Sequence, residues 1–142
     1  MPVYFEDVEV GSELPPLTKG PITDIQLVRY AGAGGDFNPI HTVPHIAQSV
    51  GLDGIIAHGL LIMAFAGQML TRWAGAGTIR RFKARFSGMT KPGETVICRG
   101  QITNKLEEGD NALVQGRFTV KGTDDSLKLK GEFTVALPKK KG

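Results

Sequence analysis

The chain has 142 residues, of which 41% are hydrophobic and 22% are charged, and its net charge at pH 7 is +3. This balance is typical of a single soluble globular domain and excludes a disordered or collagen-like chain. The lone Cys98 excludes a disulfide framework or a cysteine-rich metal site and fits a reducing, cytoplasmic setting best.

Neither membrane insertion nor nucleic-acid binding is indicated. The first ten residues lack the positively charged segment and apolar run of a secretion signal, and the longest apolar run, near Leu60 to Leu70, is too short to span a bilayer. Part of the positive charge lies in Lys139, Lys140 and Lys141, which we expect to form a solvated tail without a recognition motif. We therefore expect one domain over residues 1–142, with a basic tail at 138–142.

The first predicted helix follows a capping box, in which Thr23 caps and Gln26 stands three residues later. Its apolar face is expected to contain Ile25, Val28 and Ala31. The helix should end in the glycine-rich stretch at residues 32–35.

Two more helices are predicted before residue 78. The second runs from Pro44 to Val50, since proline suits the first helical position and Gly51 supplies a left-handed stop. The third runs from His58 to Trp73 and has no polar face over residues 60–66, which is typical of a helix that is buried all round.

The second half of the chain predicts an antiparallel sheet, because apolar residues alternate with polar ones from Ile79 onward. Turns at residues 108–110 and 122–125 separate the later strands. The first of the four predicted strands begins at Ile79. The other three cover Glu94 to Asn104, Asn111 to Lys121 and Leu127 to Leu137. Their inward residues include Phe82, Ala84, Phe86, Val96, Cys98, Val114, Phe118, Val120, Phe133, Val135 and Leu137. The expected fold class is α+β, with the sheet curled around the buried helix.

One loop carries residues suited to acid–base chemistry. Asp36, Asn38 and His41 lie within six residues of turn-forming chain. A histidine can exchange a proton near neutral pH, and a carboxylate can orient a water molecule or accept its proton, so Asp36 and His41 could bracket one water. The alternative is that Asp36 and Asn38 only make turn hydrogen bonds and that His41 caps the next helix.

The start of the third helix offers a second functional group. Gly59 would present an unpaired backbone N–H at the positive end of the helix dipole, suited to a carbonyl oxygen that gains negative charge. Close packing alone would also explain this glycine. We expect His58 to be a structural helix cap or hydrogen-bond donor rather than a third reactive group. A metal site at Asp36, His41 and His45 is not favoured, because Pro44 interrupts the histidine pair.

Arg81, Lys83 and Arg85 form a cationic stripe on one face of the first long strand. The stripe could contact the phosphates of coenzyme A or the surface of a carrier protein, and the simpler interpretation is a solvated strand face.

Two segments resemble a known family. Residues 35–41, Gly-Asp-Phe-Asn-Pro-Ile-His, followed by residues 57–60, Ala-His-Gly-Leu, are similar to the signature of MaoC-like dehydratases, which include R-specific enoyl-CoA hydratases. The resemblance extends from residues 4–7 to the last strand, with Lys91-Pro92-Gly93-Glu94 resembling the turn before a middle strand. Residues 50–59 resemble the catalytic subunit of mycobacterial-type 3-hydroxyacyl-carrier-protein dehydratases.

This resemblance implies a hot-dog fold, a dimer with active sites near the interface, and hydration of trans-2-enoyl thioesters or the reverse dehydration. It assigns catalysis to Asp36 and His41, carbonyl binding to Gly59 N–H and loop shaping to Asn38. No cofactor or metal is implied beyond the coenzyme A or phosphopantetheine of the substrate. A homodimer is the first expectation, and a heterodimer with a related subunit is the second.

Two positions depart from the family pattern. Gly67 stands where some R-hydratases have a serine, and Val43-Pro44 stands where an acidic residue often begins a helix. A hot-dog thioesterase and a non-catalytic thioester-binding subunit remain alternative functions. The sequence does not specify chain length, coenzyme A versus carrier protein, the physiological direction, or which of Asp36 and His41 is acid or base.

Overall fold

The computed structural model describes residues 2–141. Its helices are α1 (Asp24–Gly34), α2 (Pro44–Ser49) and α3 (Gly59–Ala74), and its strands are β1 (Leu17–Lys19), β2 (Ile79–Phe86), β3 (Val96–Glu108), β4 (Asn111–Gly122) and β5 (Leu127–Ala136). Short 3₁₀ turns occur at Phe5–Asp7 and Pro39–His41. The α+β prediction is confirmed, and β1 is a strand that the alternation pattern did not predict.

The five strands form one antiparallel sheet in the order β1-β3-β4-β5-β2. The short β1 and the eight-residue β2 are therefore the edges of the sheet. Gly131 lets β5 approach β2 closely, since a Cβ at this position would lie 1.9 Å from the carbonyl oxygen of Lys83. The inner face carries the core, including the predicted Val96, Cys98, Val114 and Phe118.

Helix α3 packs against the inner face of this sheet along one stripe, rather than being enclosed on all sides. Its buried residues recur at helical spacing, namely Leu61, Ile62, Phe65, Ala66, Met69, Leu70 and Ala74. Leu60 is 60% exposed and Ala64 is also exposed. The prediction of all-round burial is therefore wrong for one chain, because a single sheet covers only one side of the helix.

The capping box of α1 is confirmed, since the N–H of Gln26 donates to Thr23 Oγ1 at 3.1 Å. The predicted apolar face is wrong in part. Ile25 and Val28 are more than half exposed, whereas Leu27 and Ala31 are buried. Apolar residues occur on two sides of this short helix, so contact with the rest of the protein decides which side is buried.

The other boundaries agree with the sequence to within a few residues. Gly51 has φ +95° after α2, as expected for a left-handed stop. The C-terminal lysines are exposed but not free of contacts: Lys139 Nζ lies 2.6 Å from Glu107 Oε2, and Lys140 pairs with Asp7. None of the helices within residues 2–141 has the length and hydropathy needed to cross a membrane.

Candidate active site

A tight loop after α1 positions Asp36. Gly35 ends the helix with φ +69°, and the N–H of Asn38 then donates to Asp36 Oδ1 at 3.2 Å. The N–H of Ile40 donates to Asn38 Oδ1, also at 3.2 Å, so this amide caps the 3₁₀ turn that carries His41. The turn bonds anticipated as an alternative to catalysis are therefore present, and they leave Asp36 Oδ2 free of the loop.

The imidazole of His41 is held with one nitrogen facing Asp36. Its Nδ1 lies 2.8 Å from the carbonyl oxygen of Ile56, which can only accept, so Nδ1 carries the proton of that bond. Its Nε2 then faces Asp36 Oδ2 at 3.8 Å. The His41 side chain is 10% exposed and that of Asp36 is 48% exposed, so solvent reaches the pair from the carboxylate side.

The segment before α3 is bound to this loop. The N–H of Ile56 donates to the carbonyl of Ile40 at 3.1 Å, and the N–H of Ala57 donates to the carbonyl of Thr90 at 2.8 Å. The first bond brings the start of α3 beside the Asp36 loop, although the two segments are about twenty residues apart in sequence, and the second holds the same segment against the chain between β2 and β3.

Gly59 is the first residue of α3, and its N–H has no hydrogen-bond acceptor within residues 2–141. A Cβ at this position would lie 3.0 Å from Cε1 of Phe86, on the edge strand β2. The geometry is thus compatible with both interpretations of this glycine, since the position is closely packed and its N–H is an unpaired donor at the positive end of the helix.

His58 connects the two segments. The sequence alone did not identify the partners of its side chain. Its Nε2 lies 3.2 Å from the carbonyl oxygen of Asp36, and its ring stacks on His41 with centroids 3.9 Å apart. Tyr30 of α1 packs edge-on against the same ring at 4.8 Å. The expected donor role of His58 is present, although only the fold identifies the acceptor, and the side chain makes no cap hydrogen bond to α3. Nothing in the spacing pointed to Tyr30.

The electrostatics of His58 favour a neutral ring. Burial lowers its pKa below the ordinary value of 6.5, and the neighbouring His41 lowers it further. The carbonyl and carboxylate of Asp36 act in the opposite direction without reversing the shift.

Asp36, His41 and His58 bring three potential ligand atoms within 4.8 Å of one another, whereas His45 is exposed and lies outside this group. The two imidazoles are stacked with only 23° between their planes. Because nitrogen lone pairs lie in the ring planes, the two rings do not point at a common centre, and the cluster is poorly arranged for one metal ion.

The cationic stripe does not join this cluster. Arg81, Lys83 and Arg85 are exposed and alternate with Phe82, Ala84 and Phe86, which point to the α3 side of β2. Arg85 lies opposite Lys130 on the neighbouring strand β5. The same row of residues across the sheet continues through Thr119 on β4 to Arg99 on β3. Lys83 and Arg85 line a groove of about 760 Å³ on the outer face of the sheet, together with Arg99, Arg117 and Lys130.

Comparison with known proteins places this site in a family. Residues 9–124 match the MaoC like domain. A 3-hydroxybutyryl-CoA dehydratase from Methylorubrum extorquens is 31% identical over 140 residues, which cover 97% of this chain and 86% of the relative. An (R)-specific enoyl-CoA hydratase from Rhodospirillum rubrum is 31% identical over 137 residues, covering 95% and 92%.

The solved structure of an R-hydratase from Pseudomonas aeruginosa, in its unliganded form, is similar over 98% of this chain and 88% of its own, with a TM-score of 0.86 and 25% identity. The hot-dog fold expected from the sequence is thereby confirmed. With most of its length matched and its signature residues gathered at one site, the chain belongs to the MaoC-like dehydratase family.

Proposed function

We propose that this protein is a hydro-lyase that reversibly hydrates trans-2-enoyl thioesters to (R)-3-hydroxyacyl thioesters, with Asp36 and His41 as its catalytic pair. The observation that carries the proposal is the 3.8 Å separation of His41 Nε2 and Asp36 Oδ2, next to the segment that ends in the unpaired N–H of Gly59. The activities for which the relatives from Methylorubrum extorquens and Rhodospirillum rubrum are named support the same reaction class.

A water molecule fits between the two catalytic atoms. Their separation exceeds a direct hydrogen bond, and a water oxygen about 2.8 Å from each atom would make an angle of about 85° between them. Both atoms can accept a proton, because Nδ1 of His41 already donates to Ile56 and Asp36 is half exposed. The pair can therefore orient the water and take one of its protons.

In the hydration direction, the thioester carbonyl accepts from Gly59 N–H, which stabilises the enolate that forms as water adds. The water oxygen bonds to the β carbon and loses one proton to the catalytic pair, and one proton reaches the α carbon. The reverse sequence removes the α proton and releases the hydroxyl as water. No electrons leave the substrate, so this chemistry needs no redox cofactor.

The loop role of Asn38 belongs to the same proposal. Its Oδ1 accepts from Ile40 N–H, and its own N–H donates to Asp36 Oδ1. The side-chain amide of Asn38 thus holds the turn that carries His41, while its backbone N–H holds Asp36, and together they keep Asp36 Oδ2 directed at His41.

The substrate thiol is coenzyme A or a carrier-bound phosphopantetheine, and we include Arg81, Lys83 and Arg85 as contacts to its phosphates. Arg85 is best situated, because the ring of the adjacent Phe86 contacts the Gly59 position and β2 is an edge strand.

Arg85→Glu should raise KM for an enoyl-CoA several-fold and leave KM for the phosphate-free N-acetylcysteamine thioester unchanged. Arg72→Glu on α3 is a charge-matched control. Equal effects on both thioesters would contradict a phosphate contact.

A homodimer is the assembly we propose. Leu60, Phe86 and Phe37 are 60%, 50% and 71% exposed on or beside the open side of α3, and β2 offers an unpaired edge. Sedimentation of the purified chain should give twice its 15.3 kDa mass. A persistent monomer would point instead to a related second subunit.

A cytoplasmic location, in line with the free Cys98, is part of the proposal.

The reaction is tested with crotonyl-CoA and longer enoyl-CoA substrates, by following loss of the enoyl absorbance. Asp36→Asn should lower kcat at least about 100-fold. It should change stability by less than about 1 kcal/mol, because asparagine keeps an oxygen for the Asn38 bond. The exposed Asp53 provides the matched control Asp53→Asn. Retained activity in Asp36→Asn would refute the mechanism, and release of free thiol would indicate a thioesterase.

A further inference from the structure

His58 is the most deeply buried imidazole of the chain's three, with 1% of its surface exposed. It touches three different segments: the carbonyl of Asp36 through Nε2, the ring of His41 by stacking, and the ring of Tyr30 at its edge. It also precedes Gly59 directly. A side chain at this junction is suited to hold the separate parts of the site in register.

The hydrogen bonds of His58 determine its tautomer. The carbonyl of Asp36 can only accept, so Nε2 must carry the proton. Its Nδ1 is buried and has no hydrogen-bond partner within residues 2–141. An unprotonated Nδ1 is the less costly state, since a second proton would create a buried N–H without an acceptor.

Burial and the adjacent His41 favour a neutral His58 ring, and Asp36 opposes them without reversing the effect. The charged or titratable neighbours in contact with it are His41 from the 3₁₀ turn, Asp36 from the loop and Tyr30 from α1. Burial lowers the pKa of His58 below its ordinary value, which favours the neutral imidazole.

We propose that His58 is a positioning residue, which fixes the Asp36 backbone with its Nε2–H and supports the His41 ring with its neutral face. This inference rests on the proposed function, because it concerns how Asp36 and His41 are held at their separation. His58 neither donates nor accepts a proton during the reaction. Its two contacts act together, since a shift of either catalytic group would change the space for water between them.

Two variants separate the contacts of His58. Gln keeps a side-chain N–H that can reach the Asp36 carbonyl, whereas Phe keeps a ring against His41 but has no donor. We expect His58→Phe to lower kcat about 10- to 100-fold with KM changed less than about threefold, since a misplacement of order 1 Å has effects of this size. His58→Gln should recover part of the lost kcat, because it restores the donor to the Asp36 carbonyl but not the ring against His41. The pH profile of kcat/KM should keep its shape in His58→Gln.

Either of two kinetic results would overturn the proposal. If His58→Gln removes one limb of the pH profile, His58 is itself an acid or base. If His58→Phe keeps wild-type kcat, the donor bond does not position Asp36. Circular dichroism and thermal unfolding show whether each variant is folded before its kinetics are compared.

Nitrogen-15 NMR of the wild-type imidazoles tests the inference without a variant and without substrate. Because the pKa of His58 is lowered, we expect the neutral Nε2–H tautomer to predominate at pH 6.5, the ordinary pKa of histidine, and a ring that is mostly doubly protonated at this pH would overturn the proposal. A wild-type protein with this tautomer but no hydratase activity would instead refute the proposed function. The two failures are therefore distinguishable.

Discussion

Gly59→Pro would remove the backbone N–H that we propose binds the thioester carbonyl, while leaving α3 able to form. Proline is favoured at the first position of a helix, where the N–H has no intrahelical partner. His58 has φ −61° and ψ 133°, which is the conformation that a residue before proline prefers. The substitution should therefore preserve the fold and delete one donor.

The expected effects of this substitution on stability and on kcat differ in size. A Cβ at residue 59 would lie 3.0 Å from Phe86 Cε1, and this half-exposed ring can move by a few tenths of an ångström at a cost of about 1 kcal/mol. Loss of one donor to a developing oxyanion typically costs about 2.7–4 kcal/mol, or 10²- to 10³-fold in kcat. The catalytic effect should therefore far exceed the effect on stability.

The assay compares Gly59→Pro with Gly59→Ala, which adds the same Cβ but keeps the N–H. Enoyl-CoA hydration should fall about 10²- to 10³-fold further in the proline variant, with both variants folded by circular dichroism. A Phe86→Ala background relieves the close contact if it dominates. Proline and alanine variants with kcat values within threefold of each other would refute the role of the Gly59 N–H.

Three further predictions concern stability and reactivity. Gly67→Ala should raise the free energy of unfolding by about 0.5–1 kcal/mol in denaturant titrations, because a Cβ there would lie 3.5 Å from the Phe82 ring in ordinary contact and glycine is a poor helix former; a loss of stability would contradict this. Burial raises the pKa of Glu94, but the Lys91 N–H and the Lys128 ammonium 2.9 Å away outweigh it and keep this pKa below its ordinary value. Glu94→Gln should therefore cost about 1–3 kcal/mol at pH 7 and progressively less as the pH falls below about 4, whereas a cost independent of pH would argue against the pair. Burial raises the pKa of Cys98 to about 12, so a thiol reagent at pH 8 should label it only after denaturation, and rapid labelling of the folded protein would contradict this burial.

Much of this protein was determined by local sequence. Alternation of apolar residues predicted the four strands β2 to β5, since a half-buried strand requires period two. The turns between the last three of them contain Gly109 and Asp125, which both adopt positive φ. The loop with Asp36 and Asn38 could also be predicted, because its turn hydrogen bonds join residues only two positions apart. The signature residues then identified the family.

Tertiary structure decided what depends on distant contacts. Which side of α1 is buried depends on its contacts with the rest of the protein, and Leu60 on α3 stays exposed because one sheet covers only one side of that helix. The cationic stripe was predicted, but its place on the outer face with Lys130 arises from strand pairing. His58 shows the same dependence most clearly: its ring reaches Asp36 across 22 positions of sequence, so only the fold assigns its partner.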